Sequence, residues 1–482
     1  MINNLPEREI IKVWQQLLLN RTELVTEDGE RLKIIYPGRV NDDRGADFRD
    51  AVIATSQGLI KGDIEVHVNS SDWQAHQHHH DPAYNRVILH VVMWHNSRAA
   101  TNLQNGKGIP VLALHKYVKD PISQWPEWVE GRGFPGKAPK GFFSGLLSMP
   151  CLKAAERLTT DVLAKFLDRA GEERFLAKTT KFQADLAQME ASQTLYQGIM
   201  GALGYSRNKL PFLELARRLP LRILESIVQG KMPDEERLVQ QALLLGTAGL
   251  LPSQRQDRDQ ENKLGKWVNE LERLWASSCH TVPMSPNDWY LFKVRPNNSP
   301  VRRIAAMSYL ILRYKEKGIF EEVIKMVREA SVSKDHHCLE KKFVVTTNDY
   351  WASHLDFGSG SRLKTPILLG ASRAADIIVN VILPFTFAWG KLNSQPELGE
   401  KALDLYRHYP KLAINTVERH MREQLGLGSF LVNSARRQQG LIHIYNTLCT
   451  QGRCSSCPLS KARPLFIDRT SGRQYTGFQP AS

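Results

Sequence analysis

Phe48–Thr55 (FRDAVIAT), Leu59–Val68 (LIKGDIEVHV) and Arg86–Trp94 (RVILHVVMW) are the stretches that decide the fold. The first two read as strands joined by Ser56-Gln57-Gly58. The third is a β-branched run of the kind buried on both faces of a sheet. Upstream, LVTEDGERLKII (Leu24–Ile35) reads as a hairpin turning at Asp28-Gly29. Before it, Ile10, Ile11, Val13, Trp14, Leu17 and Leu18 recur at helical spacing over Glu7–Asn20. The loop YPGRVNDDRGADF leads into Phe48. Ser70–His80 is expected to form a short helix capped by Ser70 or Ser71 and stopped by Pro82. Ile109–Val118 is one more strand. The order is helix, hairpin, strand, strand, short helix, strand, strand, within residues 1–120.

Beyond this small mixed α/β domain the texture changes. Residues 121–150 are rich in Pro, Gly and Trp and are expected to be a linker or lid. Residues 151–330 have helical apolar spacing. Helices continue through 331–460, which also carries a cysteine cluster. Residues 461–482 are a basic tail, expected to be loosely held. The expected class is α+β, and no fixed-period repeat stands out.

The chain has 482 residues, 42% of them hydrophobic and 24% charged, which excludes collagen, low-complexity and wholly disordered classes. Its net charge of +14 is unevenly spread: residues 1–120 carry −1 and the remainder +15. Eight of the 15 histidines fall in the first 120 residues. A basic balance of this size favours an anionic partner such as nucleic acid. The opening MINNLPEREI lacks the features of a signal peptide. Ala375–Gly390, the most apolar run, contains Asp376, Asn380 and Pro384 and reads as a buried helix too short to span a bilayer. No membrane association is expected, and the cytoplasm is the default location.

Asp47 opens one strand, and Asp63, Glu65 and His67 alternate along the next. If the two strands pair, Asp47 approaches Glu65, and converging carboxylates suit Mg²⁺ or Mn²⁺. Such an ion polarises a phosphate and acidifies water, and His67 stands where it can orient or deprotonate that water. Asp47, Glu65 and His67 are therefore the catalytic candidates, with Asp63 as a further metal ligand. His76 and His80, sharing a helix face with Asp72, are candidates for a supporting shell or a second metal. His90, inside VILHVV, reads as a core histidine.

The arrangement resembles the PD-(D/E)XK nuclease superfamily, and the resemblance implies a nuclease-like αβββαβ core in the N-terminal domain. Asp47 matches its Asp, and Glu65-Val66-His67 its acidic-x-Lys triplet, with His67 in place of Lys and Ala46 in place of a frequent Pro. The resemblance implies metal-dependent phosphodiester hydrolysis of DNA or RNA. Two other readings stand beside it: a nucleic-acid-binding or scaffold protein with a degenerate nuclease fold, and a Zn²⁺ hydrolase using the histidines of 67–80. Residues 26–53, 62–92 and 109–114, with RPNNSPVRRIA, GASRAADIIVNVILP and CTQGRCSSCPL, also resemble the "domain of unknown function" 2851 family. That likeness implies no settled activity. No GxxxxGK[ST], GxSxG or HExxH pattern is present.

Cys449-x4-Cys454-x2-Cys457 suits a structural Zn²⁺ or [4Fe–4S] centre. A fourth ligand is needed, and His443, Cys338 and Cys151 are the candidates. Some PD-(D/E)XK nucleases carry a four-cysteine iron–sulfur staple, which this spacing resembles. Finally, Arg295, Arg302, Arg303, Arg436 and Arg437 are expected to grip the nucleic-acid backbone, beside the pairs Arg217-Arg218 and Lys341-Lys342.

Overall fold

The computed structural model describes residues 6–20, 23–117, 151, 158–227, 232–255, 265–278, 281–292, 294–332, 336–358, 365–428 and 430–461. The linker expected at 121–150 and the tail beyond Lys461 lie outside the described residues. The chain divides into two compact units. The first comprises Met1–Ala170, Ile414–Val432 and Gly440–Ser482; the second comprises Gly171–Ala413 and Asn433–Gln439.

The first unit begins with α1 (Glu7–Asn20), which has the expected bounds. Seven strands follow: β1 (Leu24–Val25), β2 (Arg31–Tyr36), β3 (Arg39–Val40), β4 (Phe48–Thr55), β5 (Gly58–Asn69), β6 (Val87–Trp94) and β7 (Val111–Ala113). They form one mixed sheet in the order β1-β2-β4-β5-β6-β7, with β3 also on β4. The hairpin β1–β2 turns at Gly29, whose φ of +82° is the left-handed conformation that glycine adopts without strain. β2, β4 and β5 run antiparallel, with Phe48 opposite Ile64 and Thr55 opposite Gly58. β6 lies parallel to β5, setting Glu65 beside His90, and β7 is parallel to β6. The helix between β5 and β6 is a single turn, α2 (Asp72–Ala75), much shorter than the expected 70–80.

α1 packs Ile10, Val13 and Trp14 against Ile64, Val66, Leu89 and Val91 of the central strands. A second apolar cluster joins Tyr36 and Val52 of the sheet to Leu163 and Leu167, and to Met421, Leu425, Leu441, Ile444, Tyr445 and Leu459. This cluster explains why the observed division departs from boundaries at 330 and 460. Segments more than 400 residues into the chain carry the apolar side chains that finish the core of the N-terminal unit. Polar contacts repeat the connection: Tyr445 Oη donates to Asp50 Oδ2 (2.8 Å), and Tyr36 Oη meets His420 Nε2 at 2.6 Å.

Burial holds His420 well below the usual histidine range, at about 4, with Arg39 adding to the effect and a Gln424 hydrogen bond opposing it. The folded state thus binds this proton less readily than the unfolded chain. The associated stability is intact above pH ~6.5 and is lost as pH falls towards 4, a difference of up to about 3 kcal/mol. Urea unfolding at several pH values should therefore show a shallower decline between pH 6.5 and 4 for His420→Gln than for the parent. Identical slopes would mean that His420 titrates normally in the fold.

The second unit is mostly helical, with a two-stranded piece, β8 (Val345–Thr346) and β9 (Ile367–Leu369). The most apolar run is longer than expected. Ala371–Leu392 is continuously helical, with π geometry over Ile378–Ile382, and by length and composition it is long enough to cross a membrane. Ile377, Ile378, Leu383, Phe385 and Ala388 are nevertheless buried in the core of this unit, so the run is accounted for as a core helix.

Candidate functional site

β4 and β5 pair as expected, and Asp47 and Glu65 meet. The Asp47 N–H donates to Glu65 Oε2 (3.0 Å), and the Val66 N–H donates to Asp47 Oδ2 (3.0 Å). The carboxyls are tied across the start of the β4–β5 pair by these main-chain donors, with Glu65 buried and Asp47 half-buried. Burial is the first cause that pushes both pKa values up, and the charge of Glu65 adds to the rise at Asp47. Two buried carboxylates this close are costly unless a proton or a cation joins them.

His67 stands two residues beyond Glu65 and is buried. Its Nε2 lies 3.5 Å from Glu65 Oε1, 3.6 Å from Glu7 Oε1, 3.2 Å from His76 Nδ1 and 3.3 Å from His78 Nε2. His78 Nε2 is also 3.4 Å from Glu65 Oε1. One donor atom from each of His67, His76 and His78 lies within 4.8 Å of the other two. Burial, and then the neighbouring imidazoles, hold His67 down at about 2. It is a neutral ring, the form in which histidine ligates metals.

The second ring nitrogen is also committed. His67 Nδ1 meets His90 Nε2 at 2.9 Å, and His90 Nδ1 meets Thr101 Oγ1 at 3.4 Å. When each Nδ1–H donates outward along this chain, the His67 Nε2 lone pair faces Glu65, His76 and His78. His90 is thus the buried core histidine expected from its strand, and it also orients His67. Trp73 packs edge-on to His78, and Tyr84 stacks on it with ring centroids 3.8 Å apart.

The turn after β5 explains which histidines reach the site. Asp72 Oδ2 accepts from the Asn69 N–H and starts α2. The helix stops after one turn because Gln77 adopts φ +59°, and His78–His80 then form a 3₁₀ turn. His76 and His78, on either side of the left-handed residue, both face His67. A continuous helix would instead have aligned His76 with His80. His80 is exposed and its ring lies against His79, so it is not part of the cluster.

Asp63 is also diverted. It is fully buried, and its Oδ2 accepts from Arg49 Nη1 at 2.6 Å while its Oδ1 accepts from the Asp50 N–H. Both neighbouring strands carry an extra residue beside it, β4 between Phe48 and Ala51 and β6 between Val87 and Leu89. Its role is to neutralise Arg49 and fix the bulge, where Asp50 takes φ +61°. Glu7 is the member that sequence reasoning missed, and His78 is one that it left undistinguished among the histidines of 67–80. Glu7 is the first residue of α1 and gives no signal beyond an acidic helix start. His78 is hidden in a run of three histidines. With His76, Glu7 forms the exposed side of an otherwise buried group: their side chains are 44% and 48% exposed, against 1% for His67 and 7% for Glu65.

The expected nucleic-acid contacts fare differently. Arg302 is fully buried and donates to the carbonyls of Trp351, His354, Thr365 and Ile367. Arg303 is buried among Leu368 O, Tyr205 Oη and Asn298 Oδ1. Arg436 pairs with Glu172 at 2.9 Å. Arg302 and Arg303 are internal anchors and cannot reach a phosphate, and the charge of Arg436 is already paired. Arg437 is half-buried and donates to Asn433 Oδ1 (3.3 Å), while Arg295 is exposed.

Cys449 and Cys457 are buried in the second apolar cluster of the N-terminal unit, and Cys151 packs against that cluster. Cys454 is half-buried, with its Sγ 3.9 Å from Ile35 O. Burial pushes the thiols of Cys449, Cys454 and Cys457 upwards.

Neither the curated proteins nor the solved structures provide a match to this chain. The family described as "Protein of unknown function (DUF2851)" matches residues 7–413, a span that includes every member of the histidine–carboxylate cluster and Cys151. The chain belongs to the DUF2851 family.

Proposed function

We propose that this protein is a metal-dependent hydrolase of nucleic-acid phosphodiesters, with a divalent ion held by His67, His76, His78 and Glu65. The observation that carries the reading is the convergence of three imidazoles within 4.8 Å, with Glu65 Oε1 3.4–3.5 Å from two of them. This donor set modifies the expectation of Mg²⁺, which prefers oxygen ligands and water. Imidazole with carboxylate suits Mn²⁺ or Zn²⁺ better. When bound, such an ion supplies Lewis-acid polarisation of a phosphoryl oxygen and lowers the pKa of water.

The protein's own groups have separable roles. His67 is too buried and too crowded by donors to shuttle protons, so it acts as ligand. Asp47, tied to the Val66 N–H, holds Glu65 in place through its own backbone N–H. Glu7, half-exposed and 3.6 Å from His67 Nε2, is placed to accept a proton from attacking water. The sequence α1, β2, β4, β5, α2, β6 supports a nuclease-like core. The excess of +15 over residues 121–482 favours a polyanionic substrate, with Arg295 as the one exposed arginine of the five proposed contacts. Cys449, Cys454 and Cys457 fit a structural centre of the Zn²⁺ or [4Fe–4S] class.

Labelled single- and double-stranded DNA and RNA should be incubated with the protein and Mg²⁺, Mn²⁺ or Zn²⁺, beside Glu65→Gln. Cleavage is expected with Mn²⁺ or Zn²⁺, reduced more than about 100-fold in the variant, since losing a ligand exceeds the usual cost of losing an outer-shell partner. Absence of cleavage of all four polymers, or equal cleavage by the variant, would overturn the reading.

A further inference from the structure

We infer that Cys151, Cys449, Cys454 and Cys457 form one four-thiolate site for a structural metal centre, with Cys151 as the fourth ligand. Three of these residues lie within nine positions of one another, but Cys151 is nearly 300 residues away in sequence. The fold removes that separation. A single amide nitrogen, Gln424 Nε2, reaches Cys151 Sγ at 3.6 Å and Cys449 Sγ at 3.9 Å. Cys449 and Cys457 are buried in the apolar cluster against which Cys151 packs, and Ser460 Oγ ties Cys454 to Cys457 by donating to both of their carbonyls. None of these four cysteines is in a disulfide. Of the alternative fourth ligands, Cys338 is exposed and belongs to the other compact unit.

Cys151, Cys449 and Cys457 share one apolar cluster with Cys454 on the same loop, a set of sulfur donors that packing alone does not call for. Zn²⁺ and [4Fe–4S] both take four cysteine thiolates. The loop that carries three of them is shaped to lie on the sheet. Gly452 has φ +66°, and a Cβ there would meet Val52 Cγ1 at 2.9 Å. Lys61 Nζ donates to Gln451 Oε1, and Tyr445 to Asp50. A centre at this point ties together three stretches of the N-terminal unit: Cys151, the loop 449–457, and strands β2 and β4, against which the loop packs. Its function is to clamp the loop 449–457 onto the sheet that presents Asp47 and Glu65.

The test uses the full-length protein purified anaerobically, in a His67→Gln background that removes the nitrogen-rich site from the measurement. Metal analysis and X-ray absorption are expected to find one zinc, or one iron–sulfur cluster with acid-labile sulfide, per chain. The expected first shell holds four protein sulfurs for zinc, or thiolate and sulfide for iron. Cys151→Ser should lose the metal and Cys338→Ser should keep it. Metal without sulfur ligation, no bound metal, or full retention in Cys151→Ser would overturn the inference. If Cys151→Ser does not fold, the parent spectrum decides for zinc: four sulfurs support the assignment, and three sulfurs with one light donor refute it. For iron, cluster retention by Cys151→Ala, the smaller replacement, refutes it and loss supports it. None of these outcomes depends on nucleic-acid cleavage.

Discussion

His67→Gln is expected to abolish metal binding at the histidine cluster while leaving the fold in place. The reason is geometric. His67 Nε2 is the common point of the site, within 3.2–3.6 Å of His76, His78, Glu65 and Glu7. Removing it takes away one ligand and also the reference around which the others are arranged. The loss in affinity for Mn²⁺ or Zn²⁺ should exceed about 100-fold, the upper end for outer-shell substitutions. His90→Leu, which removes only the partner of His67 Nδ1, should cost about 10- to 100-fold. His80→Ala should change nothing, because that ring is exposed and outside the cluster. Calorimetric titration of the three variants gives the ranking His67 > His90 > His80. Stability should fall by only about 1–2 kcal/mol for His67→Gln, since a glutamine can still hydrogen-bond in the pocket. Equal losses in all three would indicate non-specific binding by a histidine-rich segment. Parent-like affinity in His67→Gln would remove the cluster as a metal site.

Much of this site is legible in the sequence, and the limits have physical causes. Phe48–Thr55 and Glu7–Asn20 are read with their observed bounds because alternation and helical periodicity are local signals. The approach of Asp47 to Glu65 follows from pairing β4 with β5, and it is observed. The choice of histidines does not follow, because it depends on one backbone angle. Periodicity carries a helix through 70–80 and selects His76 with His80; the left-handed Gln77 stops it and selects His76 with His78. Glu7 is invisible for a different reason, since only tertiary packing brings the start of α1 to β5. Asp63 fails because Arg49 and the Asp50 N–H, both on the bulged strand β4, take up its carboxylate. The return of residues 440–461 to the N-terminal sheet is likewise non-local, written in apolar residues that look like those of any other helix.

Arg302 shows how far a basic pair can mislead, and its replacement carries the largest expected effect on stability. It lies on the helix Pro300–Arg313 beside Val301, Ile304 and Ala305, with no exposed surface. Its guanidinium donates to four main-chain carbonyls, among them Trp351 O at 2.7 Å and Thr365 O at 2.6 Å. Burial, followed by neighbouring Arg303, lowers its pKa to about 10, yet it stays charged near neutral pH. The carbonyl dipoles replace the water that the cation gave up. Arg302→Met fills much of the space but leaves buried carbonyls without donors, each costing about 1–3 kcal/mol, so a net loss of about 3–5 kcal/mol is expected. Arg302→Lys should recover only part of this, because an ammonium cannot reproduce the planar fork. Urea unfolding of the parent and both variants measures the order. The same proteins separate anchoring from phosphate binding. At temperatures where Arg302→Lys remains folded, its affinity for a labelled polynucleotide and the salt dependence of that affinity should equal the parent's. Arg295→Ala, which removes an exposed charge, should reduce the slope of log K against log salt by up to about 0.9 on duplex DNA. A reduced slope in Arg302→Lys with undiminished stability would return Arg302 to the binding surface and refute its assignment as a structural anchor.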